Sequence, residues 1–342
     1  MDTAYVYDPI YLEHDLPSHP ENARRLKHII STLESEGLLP RLIPLEPRPA
    51  TIEELERVHV PAHIERVQRV AQSGGGHLDP DTYTSARSFD AALMAAGGLL
   101  RAVEAVLAGE VTNGFALVRP PGHHATPTRA MGFCLFNNVA VAARAALEGG
   151  AVKRIFIADF DVHHGNGTQD VFAEDPDVFY FSTHQYPHYP GTGAWNEIGS
   201  GAGRGTVLNV PLPPQVGNAG YADIFTELVW PLIERFRPDL ILVSAGYDAH
   251  WTDPLAQMSL SLTGYAWLGK ELVSMAEQLC NGRIVWTLEG GYQLDVLAYG
   301  VLNSFYAMLG ENTIADPLGS SPHPERPIDA LIARLRQVHN LN

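Results

Sequence analysis

The stretch Ile155-Phe-Ile-Ala-Asp159-Phe-Asp161-Val-His163-His164-Gly165-Asn166-Gly167 runs from an apolar segment into acids and a histidine two positions apart. Alternate residues of a strand project to one side, so Asp159, Asp161 and His163 would share a face near the strand's C-terminal end. Carboxylate and imidazole at that spacing suit a divalent metal. The competing reading, acids that cap the next helix, fits less well because an acid beside an apolar core needs a partner. A second stretch, Arg119-Pro-Pro-Gly122-His123-His124-Ala125, holds adjacent histidines in a Pro/Gly-constrained loop, where both can converge on one site as general acid and base. A third, Leu240-Ile-Leu-Val-Ser244-Ala-Gly-Tyr-Asp248, is another apolar run ending on an acid. Alone Asp248 reads more readily as a helix cap; with Asp161 and His163 it completes three ligands with open positions, the pattern of a catalytic metal. In the fourth, Thr287-Leu-Glu289-Gly290-Gly291-Tyr292, paired glycines allow close backbone approach and present a tyrosine at a strand tip. Its hydroxyl could donate to a developing oxyanion, and packing is the equal alternative.

The elements that must position these groups follow from the apolar pattern. Strands are expected at 115–118, 154–160, 178–181, 207–210, 240–244 and 284–288, several of them continuous apolar runs covered on both faces. Helices are expected between them at 88–108, 137–147, 221–236, 264–279 and 295–309, with surface helices at 20–36 and 52–72 and a terminal one at 328–338. Such alternation implies an α/β fold with a mostly parallel multi-stranded sheet flanked by helices. Ligands in such sheets bind beyond the C-terminal strand ends, in long loops. The Pro/Gly-rich patches 187–205 and 211–220 each flank a strand and read as those loops rather than linkers. The organisation expected is one catalytic domain over 1–312, with 313–342 an extension carrying a short helix packed on the same domain.

Of the 342 residues, 45% are hydrophobic and 18% charged, which excludes a disordered chain. The net charge of −16 disfavours direct nucleic-acid binding and would attract cationic ligands such as lysine-rich peptides or polyamines. Two cysteines, Cys134 and Cys280, make neither a disulfide framework nor a thiolate zinc site. No signal-peptide layout opens the sequence, and no unbroken apolar run approaches about 18 residues, so the expected location is cytoplasmic without a membrane span. Six of the 15 histidines lie between His123 and His188, where the chemistry concentrates.

Together and in this order, RPPGHHA, GFCLFNN, DFDVHHGNGTQD, YPGTG, SAGYDAH and LEGGY resemble the histone deacetylase family within the arginase–deacetylase fold, from about residue 17 to about residue 309. The Asn166–Gln169 continuation and Glu289 before Gly-Gly-Tyr resemble the class II branch and its bacterial relatives. The resemblance implies a metal-dependent amidohydrolase in which Asp161, His163 and Asp248 hold one Zn²⁺, or Fe²⁺ in some conditions. It implies His124 as general base and then acid, His123 as its electrostatic partner, and Asp159 hydrogen-bonded to His123. Behind His124 the class I pattern has an aspartate; here Asn166 stands, and a neutral partner stabilises an imidazolium less. Tyr292 would polarise the substrate carbonyl. Phe133 and Tyr189 would wall an apolar tunnel kept narrow by Gly132 and Gly291, and Arg25 resembles the arginine of the family's inner cavity. Structural K⁺ is implied at Asp159 and Ser182, with Phe172 in the stretch matching a second such site.

The substrate implied is N-acetylated lysine in proteins or peptides. The alternative is an acetylated polyamine or another small acylated amine. Family members that prefer polyamines can carry an acid just after the Asp-Pro following the third ligand; here Leu255 occupies that place, which leans toward acetyl-lysine or a neutral substrate. A binder of acylated peptides without turnover would tend to replace the tyrosine, and Tyr292 is kept. A two-metal ureohydrolase would want further carboxylates, whereas His250 follows Asp248. Self-association into a homo-oligomer is compatible with everything above.

Overall fold

The computed structural model describes residues 2–341. The strands are β1 (Thr3–Val6), β2 (Ile43–Leu45), β3 (Gly75–Asp79), β4 (Thr82–Ser85), β5 (Asn113–Ala116), β6 (Ile155–Asp159), β7 (Val178–Gln185), β8 (Val207–Leu212), β9 (Leu240–Ala245) and β10 (Ile284–Leu288). The helices are α1 (Arg24–Ser35), α2 (Ile52–Glu56), α3 (Pro61–Gln72), α4 (Ser88–Ala108), α5 (Asn138–Glu148), α6 (Asn166–Phe172), α7 (Asn218–Ile224), α8 (Trp230–Phe236), α9 (Leu262–Cys280), α10 (Leu294–Met308) and α11 (Asp329–Val338).

Eight strands form one sheet in the order β2-β1-β5-β10-β9-β6-β7-β8. Every neighbouring pair in it is parallel. The fold is therefore the expected α/β one, and β6, β9 and β10 are buried at every position because helices cover both faces. Four central neighbours, β5, β10, β9 and β6, direct their C-terminal ends toward the same edge, so their following loops meet there. β3 and β4 form a separate antiparallel hairpin whose turn reaches that edge.

Several elements differ from the sequence expectation. The run 52–72 divides into α2 and α3 because Pro61 pushes Val60 into extended backbone (φ −67°, ψ 146°). The run 221–236 begins earlier and carries a π-helical turn at Phe225–Val229, just before Pro231, which has no N–H to continue the ladder. The strand expected at 115–118 is shifted to β5, where Asn113 and Gly114 pair with both β1 and β10. Helix α4 is long and apolar enough to cross a membrane by composition (mean hydropathy 1.6), although charged residues interrupt its run, and 67% of that window is buried inside the molecule. It packs on α5, β5 and β1, so its apolar character serves the core. Ile328, Ile332 and Leu335 of the terminal segment join the same core.

Candidate active site

The strand-end loops bring Asp161, His163 and Asp248 together, all buried, with one ligand atom from each lying within 4.8 Å of the others. The neighbouring backbone aims them. Asp161 Oδ2 accepts from the Gly290 N–H (2.8 Å), Asp248 Oδ1 from the Val162 N–H (2.8 Å), and Asp161 Oδ1 from the His163 N–H (2.9 Å). Both oxygens of Asp161 and one of Asp248 are thus held, while Asp248 Oδ2 is buried without a hydrogen-bond partner. His163 Nδ1 points between the two acids, 3.1 Å from Asp161 Oδ1 and 3.3 Å from Asp248 Oδ2. Burial lowers the His163 pKa, but these acids outweigh it and lift it to about 10. An orphaned carboxylate oxygen facing an imidazole and a second carboxylate is a donor set that a divalent cation fits. Glycine is required around it: a Cβ on Gly290 would lie 2.2 Å from Asp248 Oδ2, and one on Gly246 would lie 2.1 Å from Asp161 Oδ2.

The two histidines of the 119–125 loop do converge, with ring centroids 4.0 Å apart, and their backing differs. His123 Nδ1 lies 3.1 Å from Asp159 Oδ2, and that carboxylate also accepts from the Tyr180 hydroxyl (3.0 Å). Burial depresses His123, yet Asp159, Asp161 and Glu289 together raise its pKa to about 10. His124 Nδ1 lies 2.9 Å from Asn166 Oδ1. Burial, then the positive charges of His123 and His163, hold the His124 pKa well below its ordinary value. A cationic His123 thus stands beside a neutral, proton-accepting His124. Glu289 fixes their loop: its Oε2 accepts from the Gly122 and His123 N–H groups (2.7 and 3.2 Å), and its Oε1 from the Ser244 hydroxyl (3.1 Å).

A cavity of about 210 Å³ leads outward from this cluster, lined by His124, His163, Gly132, Phe133, His188, Tyr189, Leu255, Tyr292 and Asp81. Tyr189 stands edge-on to His124 (5.2 Å) and Phe133 edge-on to Tyr292 (5.9 Å). The tight turn at Gly132 (φ +56°) leaves no room for a side chain, since a Cβ there would lie 2.3 Å from the His124 ring. Burial, then the charges of Asp248 and Asp161, raise the Tyr292 phenol well above 10, so it remains a donor. The Arg25 guanidinium sits 5.2 Å from the Tyr292 ring centre and donates to the Gly291 carbonyl (2.8 Å).

The sequence reading missed three residues here. Asp253 Oδ2 accepts from the Tyr292 N–H (2.8 Å) and Oδ1 from the Leu255 N–H (2.9 Å), tying the tyrosine turn to the tunnel rim. Its place before Pro254 was the available signal. His188 stacks on His163 at 5.3 Å and contacts the Leu255 carbonyl (3.0 Å); its signals were the histidine concentration it ends and adjacency to Tyr189. Asp81 arrives from the β3–β4 turn, far away in sequence. Of the residues expected around K⁺, Asp159 and Ser182 are register partners on β6 and β7. Phe172 closes α6, with its ring under Arg144 (4.6 Å). His250 stays outside the ligand cluster, its Nδ1 2.9 Å from the Thr252 hydroxyl.

A parallel α/β sheet with a carboxylate–imidazole–carboxylate cluster, a histidine pair and a tyrosine at one narrow tunnel defines a metal-dependent amidohydrolase. The histone deacetylase domain model matches residues 19–308, and the chain belongs to the histone deacetylase family. It is 42% identical to histone deacetylase 14, chloroplastic, of Arabidopsis thaliana, over 96% of this chain and 83% of that one. It is also 42% identical to a probable deacetylase of Archaeoglobus fulgidus, over 98% and 93% respectively. To the histone deacetylase-like amidohydrolase of Pseudomonas aeruginosa it is 41% identical, over 87% and 78%. The crystal structure of the HDA15 HD domain superposes with a TM-score of 0.90 at 37% identity, covering 99% of this chain and 94% of that one.

Proposed function

We propose that the protein is a zinc-dependent deacetylase that hydrolyses the amide of N-acetylated lysine in proteins or peptides, releasing acetate and the free amine. The observation that carries this reading is the narrow cavity walled by Phe133 and Tyr189, which runs from a rim that includes Leu255 and Asp81 to the Asp161–His163–Asp248 cluster. That shape suits a neutral acetamide on a four-carbon stem. An acetylated polyamine would carry positive charge into the same mouth, where Leu255 offers no counter-charge and Asp81 is, among the described residues, the one carboxylate in the lining.

Asp161, His163 and Asp248 would hold the ion, which supplies Lewis acidity toward the amide carbonyl and toward water when bound. His124, neutral and backed by Asn166, takes the proton from the attacking water and later returns it to the leaving amine. His123 stays protonated against Asp159, so its charge keeps the His124 proton labile. The Tyr292 hydroxyl donates to the carbonyl oxygen as that oxygen gains charge. Phe133 and Tyr189 exclude water from the stem. K⁺ would bind at Asp159 and Ser182, with Phe172 near a second ion, in a purely structural role. We assign 1–312 to the catalytic unit and 313–342 to an extension packed on it. The buried free cysteines Cys134 and Cys280 suit a reducing cytoplasm.

The test is a substrate panel on purified protein with controlled Zn²⁺: acetyl-lysine peptides, acetylpolyamines and longer acyl-lysines. The proposal expects the highest kcat/KM on acetyl-lysine peptides and turnover that is lost on chelation and restored by Zn²⁺. Preference for acetylpolyamines would reassign the substrate and leave the chemistry intact.

A further inference from the structure

A groove lies at the end of the sheet opposite the tunnel. It has a volume of about 820 Å³ and is bordered by Arg154, Arg204 and Arg235, with Phe179, Phe236 and His339 beneath them. Arg154 immediately precedes β6, Arg204 lies shortly before β8, and Arg235 lies near the end of α8, so the groove forms where N-terminal strand ends meet α11. Among the described residues, no acid lines it, and none of the three guanidiniums forms an ion pair. The carboxylate nearest in the hydrogen-bond pattern, Asp239, is engaged by the N–H groups of Lys153 and Arg154 (2.8 and 3.0 Å). In a chain of net charge −16, three arginines with no acidic partner, of which Arg235 donates to the His339 carbonyl (3.2 Å), form a local positive field around one concavity that pulls anions toward it.

Two further features identify what that anion is attached to. His339 is 3% exposed and its Nε2 has no hydrogen-bond partner, although it borders the groove. A buried polar nitrogen of this kind awaits a ligand or ordered water. Phe236, half-buried, gives the floor an aromatic ring, with the buried Phe179 tilted 60° behind it at 5.5 Å between centroids. The volume lies within the range of small-molecule and cofactor sites. Guanidiniums recognise phosphate oxygens in pairs of parallel hydrogen bonds, and apolar rings accept a flat base. We infer that this groove is a second ligand site, separate from the tunnel, for an organic pyrophosphate of the nucleoside diphosphate class. The phosphates lie on Arg154, Arg204 and Arg235, the base rests on Phe236, and His339 Nε2 makes a polar contact.

Calorimetric titration of the full chain tests this, with a hydroxamate saturating the tunnel so that phosphates cannot bind at the metal. ADP, inorganic pyrophosphate and adenosine are the three probes. ADP is expected to bind, pyrophosphate more weakly, and adenosine least. Arg204→Glu and Arg235→Glu are each expected to weaken ADP roughly tenfold or more, with unchanged turnover of acetylated substrate. Arg154→Glu serves as the third variant if either of those loses its fold. Absence of ADP binding at about millimolar concentration, or equal binding by wild type and variants, would overturn the site. Equal affinity for ADP and pyrophosphate would overturn the organic part of the assignment, and adenosine binding as tightly as ADP would overturn its anionic part.

Discussion

Two buried clusters near the C-terminal sheet edge bring potential metal donors equally close, and they differ in everything else. Asp161, His163 and Asp248 form one; His123, Cys134 and Glu289 form the other. In the second, every donor is already engaged. Glu289 accepts three hydrogen bonds, His123 is held by Asp159, and the Cys134 thiol donates to the Gly132 carbonyl (3.3 Å). Burial also pushes the Cys134 thiol well above 9, away from the thiolate a metal requires. In the first, Asp248 Oδ2 is left with no hydrogen bond, and His163 borders the tunnel. Proximity of donors therefore does not define a metal centre. What distinguishes one is a donor atom left without a hydrogen bond beside a cavity through which an ion can arrive.

The sharpest way to break this contrast is to remove a ligand from the open cluster. Asp248→Ala or Asp161→Ala should lose both bound metal and activity, measured by elemental analysis and turnover on the same preparation. Full metal content in either variant would remove that residue from the set. Next in size is Tyr292→Phe, which leaves both clusters and the ring intact but deletes the hydroxyl proposed to donate to the substrate carbonyl. A fall of roughly 10²–10³ in kcat with near-constant KM is expected, with an unchanged unfolding temperature. A structural tyrosine would show the reverse.

Asn166→Asp probes the link between the clusters. A carboxylate behind His124 would favour its imidazolium, so its pKa should rise by about one unit or more. Because His124 must be neutral to accept a proton, the acid limb of the kcat/KM profile should move to higher pH. A limb that stays in place would mean that His124 is not the titrating base. The smallest effect is expected for Cys134→Ser, which alters only the satisfied cluster. Metal content should stay at one ion per chain, with a stability loss of about 1 kcal/mol measured by denaturant unfolding. Loss of an ion in that variant would overturn the contrast drawn above.

Legibility in the sequence followed the length scale of the interaction. Asp159, Asp161 and His163 were readable because strand-like alternation singled them out, although β6 ends at Asp159 and the bend after it carries Asp161 and His163. The helix span 88–108 coincides with α4, because its apolar stripe and the positive-φ Gly109 that ends it are local signals. The interruption at Val60-Pro61 was also local, yet the apolar pattern continued through it and masked the break. By contrast, β1 is four residues long and carries little signal; it is a strand because β5 and β2 flank it.

By itself the sequence determined which residue types lie at the ends of β6, β9 and β10, and hence the acids, histidines and tyrosine available for chemistry. Only the tertiary structure decided which of them face one another. The order β5-β10-β9-β6 places loops from residues 119–125, 160–165, 246–255 and 289–293 at one edge. That order sets Asp253 under Tyr292, brings Asp81 from the hairpin to the tunnel mouth, and leaves Asp248 Oδ2 without a hydrogen bond. The physical reason is that periodicity acts within a few residues. Hydrogen-bond satisfaction and desolvation instead depend on every group packed around an atom, whatever its distance along the chain.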